Sequence, residues 1–168
     1  MSAYAVVLLA YAQVAATLTG FIGVVFVFGE RSRRLDDDQS SALFHLMYTS
    51  LSALFLSLSS ALLLVYLAAE EHIAWQICNA LSGFSHLLGS GRLLLETLGH
   101  KTEVRRSWIT SAIGLGTAGL SFLAAAGYLT REEALIFMLA TLWILGVTVI
   151  AFVSLLVSAS RSPTDSRG

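Results

Sequence analysis

The chain has 168 residues, 56% of them hydrophobic and 12% charged, with a mean hydropathy of +0.76. That balance excludes a water-soluble globular domain of this size, and a net charge of −1 lacks the basic footprint with which a nucleic-acid binder neutralises phosphates. The single cysteine, Cys78, excludes an internal disulfide and any multi-cysteine metal site.

A hydrocarbon core about 30 Å thick needs about 20 helical residues, because backbone polar groups in lipid must be satisfied within the helix. The first stretch of that length runs from Tyr4 to Phe28. The residues before it lack the positive start of a cleaved signal, and the run exceeds a signal core, so it is read as a spanning helix. Gln13 and Thr17 share one face of it. Ala16 with Gly20, and Thr19 with Gly23, form small-residue pairs at spacing four, which let helix backbones approach closely. The run from Ala16 to Val25, leading into Gly29-Glu30-Arg31, resembles a group of short uncharacterised bacterial multi-span membrane proteins. The resemblance covers the first third of the chain and implies no known activity.

A loop from Gly29 to Ser41 carries Arg31, Arg33 and Arg34, then Asp36, Asp37 and Asp38. The aspartates are read as a helix start, with Asp36 as N-cap, rather than as a cation site, because adjacent residues on a helix point in different directions. The second span, Ala42 to Ala69, bears a stripe of His45, Thr49, Ser52, Ser59 and Ser60. After a tight hairpin at Glu70-Glu71 comes the third, Ile73 to Leu98, the least lipid-like of the five. At about 100° per residue, Gln76, Asn79, Ser82, His86 and Ser90 fall along one side of it. Such groups are costly against lipid, and an ionisable residue near the midplane, here His86, points to function. The antiparallel pairing of spans two and three places His45 deeper towards the cytoplasmic end than His86, which argues against a bis-histidine haem site. Arg92 and Glu96, four residues apart on another side of the helix, are read as intramembrane charges that pair or anchor.

A loop from Gly99 to Ser107 with Lys101, Arg105 and Arg106 leads to the fourth span, Trp108 to Leu129, read as a packing helix through Gly114, Gly116 and Gly119. The fifth, Ala134 to Ser158, is the most apolar, and a short polar cytoplasmic tail, 160–168, follows a single transmembrane domain, 1–159. With the basic loops inside, the N-terminus lies outside and the C-terminus in the cytoplasm. Tyr4, Tyr66, Trp75 and Tyr128 then fall at outer ends and Trp108 at an inner one, where aromatic rings prefer the interface.

The expected fold is therefore an all-α, polytopic bundle of five transmembrane helices in a bacterial inner (plasma) membrane. Few titratable groups lie within the predicted spans, His86, Arg92 and Glu96 among them, no nucleophile has a base on another helix, and no phosphate loop or metal cluster is present, so neither an enzyme nor a cofactor is expected. The leading functional expectation is a homo-oligomeric ion channel or small-solute pathway along the span-three stripe, helped by Gln13 and Thr17, with the glycine faces making the subunit contacts. The alternatives are a non-catalytic membrane subunit or scaffold with a membrane-protein partner and, third, a haem-binding electron carrier.

Overall fold

The computed structural model describes residues 3–31, 37–99 and 104–160. Five long helices occupy them: α1 (Ala3–Arg31), α2 (Asp37–Tyr66), α3 (Glu71–Gly99), α4 (Val104–Ala125) and α5 (Glu133–Ser160). Asp36, the expected N-cap, lies outside the described residues, as do His100 and Lys101. Four helices, α1, α2, α4 and α5, contain stretches long and apolar enough to cross a membrane. The chain is an integral membrane protein of helical-bundle type.

α3 has 29 residues, a spanning length, but its polar side lowers its apolarity below that of the other four. That side is turned inward. Asn79, Ser82 and His86 are buried, whereas Ile73, Ile77, Phe84, Leu88 and Leu95 are exposed on the outer surface. An apolar exterior around hydrogen-bonding side chains is what lipid requires of a helix that crosses it. The same inversion holds throughout: Phe21, Phe55 and Leu62 face outward, while Ser50, Ser57, Ser60, Thr141 and Thr148 are buried.

The helices pair as two antiparallel hairpins, α1 with α2 and α3 with α4, and α5 touches all four. The ends of the bundle differ. One holds the turns at residues 67–70 and 126–132 and is called here the turn end. The opposite end receives the two connections rich in arginine and lysine and is called the basic end. Gly127 makes the second turn possible. Its φ of +80° is accessible to glycine at little cost, and the bonds Gly127 N to Ala124 O (3.0 Å) and Tyr128 N to Leu123 O (3.0 Å) close α4 in a Schellman motif.

The start of α1 belongs to the turn end, because Tyr4 stacks edge-on against Trp75 with ring centroids 5.4 Å apart. Trp75 itself corrects an expectation. It is 4% exposed, packs against Phe137 and donates Nε1–H to Glu71 Oε1 at 3.1 Å, so it is a core residue rather than an interfacial anchor. Tyr66 and Tyr128 are fully outward at that end. Hydroxyl pairs tie helices together: Thr19 donates to Ser50 (2.9 Å) between α1 and α2, and Thr148 to Thr49 (3.0 Å) between α5 and α2.

Glycine is used for close approach at fewer positions than its spacing predicts. A methyl on Gly114 would fall on the Ser90 hydroxyl of α3, and one on Gly83 would meet the Phe122 ring at 3.0 Å. Around Gly20, Gly23, Gly116 and Gly119 there is open space, so these four hold no helices together within the chain.

Candidate functional site

The polar side of α3 divides into two groups, and His86 belongs to the one towards the basic end. Towards the basic end, His45, Tyr48, Thr49 and Ser52 of α2 face Ser85, His86, Gly89 and Ser90 of α3 across a cavity of about 70 Å³. Thr110 of α4 and Trp143, Ile144 and Val147 of α5 complete its wall. Such a volume, at about 10–15 Å³ per water centre, holds a few water molecules, and the lining supplies the polar partners that hold them. Among the described residues no three His, Cys, Asp or Glu side chains gather as a metal site.

His86 is 5% exposed. Its Nδ1 lies 2.9 Å from the Ser82 carbonyl oxygen, one turn back on its own helix, and 3.4 Å from the Ser82 hydroxyl. A carbonyl can only accept, so Nδ1 carries the proton, and in the neutral ring Nε2 is a bare acceptor. The backbone of Ala140 on α5 bears on the imidazole, yet Nε2 has no partner at hydrogen-bond geometry. Nε2 itself is closed to water, while other atoms of the residue line the adjoining cavity.

His45 lines the same cavity, although the antiparallel pairing sets it about six residues, or ~9 Å at 1.5 Å per residue, closer to the basic end than His86.

Towards the turn end a second cluster links α3 to the first residue of α5. His72 Nδ1 lies 2.8 Å from Glu133 Oε2, and Asn79 Nδ2 donates to both the Trp75 carbonyl and the Glu133 carbonyl at 3.0 Å. Gln76 Nε2 sits 3.1 Å from His72 Nε2, in space left by Gly127, where an added Cβ would meet that same nitrogen at 3.2 Å. Glu133 Oε1 and Asn79 Oδ1 are buried without partners. Leu56, Ala74, Cys78 and Phe137 pack together in the apolar core, and the Ser57 and Ser60 hydroxyls are buried.

The predicted site residues therefore separate. Gln76 and Asn79 belong to the turn-end cluster, Ser82 fixes His86, and Ser90 lines the cavity. Gln13 and Thr17 join neither, since α1 packs on α2 and α5 and both side chains are exposed on its far side, with the Thr17 hydroxyl donating to the Gln13 carbonyl at 2.9 Å. Arg92 is exposed and makes a polar interaction, and the Glu96 side chain lies outside the described residues. Two groups went unread in the sequence, His72 and Glu133, because both looked like hairpin residues. Glu133, 3% exposed, adds a buried titratable group to the expected set. The usable signal was its place as the first residue of the most apolar helix. The chain matches no known protein family, no curated protein and no solved structure.

Proposed function

We propose that the protein is a membrane pathway for a small polar species that runs through the interior of its own bundle, with His86 as the central contact. The observation that carries this reading is the buried His86 in the wall of a polar cavity with room for water. The stripe that suggested a shared pore is enclosed by α2 and α5 of the same chain, which favours a private route over one between subunits. Positive-inside orientation puts the basic end, and with it the cavity, towards the cytoplasm of a bacterial inner membrane, and the turn end outside.

Assembly into homo-oligomers fits this reading as a packing arrangement. The Gln13, Thr17 and Gly20 face of α1 is exposed, and a glutamine amide in mid-span supplies both donor and acceptor to its like. The same face supports the rival reading, a non-catalytic subunit that docks a larger membrane partner.

Purified protein in vesicles tests the choice, with proton entry followed by an internal pH dye and the entry of urea or glycerol by light scattering. The pathway reading predicts flux above protein-free vesicles in at least one assay, reduced in His86→Leu at equal incorporation. No flux in either, or flux indifferent to His86→Leu, ends it.

A further inference from the structure

We propose that Glu133, with Asn79 and His72, is a proton-binding site at the turn end of the bundle, loaded from the adjoining aqueous phase through His72. The evidence is geometric. The Glu133 side chain is 4% exposed, while the His72 ring bonded to it is 52% exposed. One carboxyl oxygen therefore touches a group in contact with water, and the other, Oε1, is buried with no partner. Asn79 is wholly buried, and because its Nδ2 is committed to two carbonyls, its unpartnered Oδ1 can only accept. Buried orphan acceptors are costly, and a single proton on the carboxyl removes the charge from one of them and gives Glu133 an O–H to donate.

A proton fits better than a metal cation. Two unpartnered oxygens fall short of the six or more that a hard cation requires.

The loading step balances simply. A hydronium ion gives a proton to His72 Nε2 once the Gln76 amide turns to present its oxygen, and the Nδ1 proton passes to Glu133 Oε2 at 2.8 Å. Water regains its neutral form, and the imidazole is left neutral with its proton on Nε2. After the ring exchanges back to its Nδ1–H form with water, a half-turn of the carboxyl places the O–H on the Asn79 side and a bare oxygen before His72. Among the described residues, the other ionisable groups around the cluster are Glu70 in the turn, Glu71 on α3, held by Trp75, and Arg131 and Glu132 in the turn before α5. Tyr4 of α1, Tyr66 of α2 and Tyr128 after α4 stand at the same end. Of the acids at this end, Glu133 is the buried one.

What the proton does next rests on the pathway reading, but its binding does not. Infrared difference spectra of the protein in lipid, recorded across an acid step, isolate the site. A carboxylic C=O band of the non-aqueous type should appear in the wild type and be absent from Glu133→Gln, whose amide keeps the size and can donate to Asn79. In His72→Ala the band should form at least about tenfold more slowly after a pH jump, since a positioned group speeds proton transfer by more than that. Identical spectra from the wild type and Glu133→Gln would overturn the site, and an unchanged rate in His72→Ala would overturn its loading route. Vesicles that conduct nothing while Glu133 still titrates would end the pathway and leave the site standing.

Discussion

Replacing Gly114 by alanine sets a methyl against the Ser90 hydroxyl where α3 and α4 lie closest, with Ser90 Cβ also only 3.1 Å from the new atom. The hydroxyl can turn aside but Ser90 Cβ cannot, so α3 and α4 must give by a few tenths of an ångström. Overpacking of this kind costs about 1–3 kcal/mol. Removing the obstacle tests the cause: Ser90→Ala with Gly114→Ala should recover most of the loss, giving a coupling energy of about 1 kcal/mol or more in the double-mutant cycle. Gly116→Ala is the control. Nothing lies within 4 Å of its added methyl, and the better helix propensity of alanine should leave it neutral or stabilised by about 0.5–1 kcal/mol. The assay is reversible unfolding in mixed lipid–detergent micelles titrated with SDS and followed by tryptophan fluorescence. Equal midpoints for Gly114→Ala and Gly116→Ala, or additivity of the Ser90 and Gly114 changes, would refute the packing described.

Thr148→Val removes the hydroxyl link from α5 to Thr49 on α2 and should cost about 0.6 kcal/mol, up to roughly 1.7, in the same titration. Gly127→Ala forces a side chain to φ +80° and towards Gln76. It should destabilise by at least about 1 kcal/mol and weaken the His72 to Glu133 contact, seen as a faster hydrogen exchange at the start of α5. Cys78, fully buried, should resist maleimide in the folded protein and react on unfolding, and prompt labelling in lipid would contradict its placement.

Helix number and position were legible because lipid imposes a length on every span, and the five helices match the apolar runs to within a few residues at most ends. The larger differences fall at helix starts. α2 begins at Asp37, before the first apolar residue, because a helix continues into water as long as its backbone bonds propagate. Periodicity also identified the polar face of α3, since only one side of a helix can be hidden. Which neighbour hides it was not legible. That depends on α5 lying against all four other helices, a tertiary fact with no local signature. Trp75 shows the same limit: its position in sequence is that of an interfacial ring, and only the approach of Tyr4 and Phe137 makes it core. Small-residue spacing on α1 and α4 was equally ambiguous, because spacing four marks a surface able to pack closely without saying whether anything does. Gly114 packs, and Gly116, two residues on, does not. Glu133 was hidden by its neighbours, standing after Arg131 and Glu132 in what reads as a charged turn.

The measurement that tests the central claim most directly is the reactivity of single cysteines in a Cys78→Ala background towards a small water-soluble methanethiosulfonate. Ser52 lines the cavity, and its neighbour Ala53 is wholly buried in the apolar core. The account predicts that Ser52→Cys in sealed vesicles reacts readily, from the basic end, and that Ala53→Cys does not. Ser52→Cys that stays as unreactive as Ala53→Cys would mean that water does not enter the bundle at His86, and would contradict the pathway.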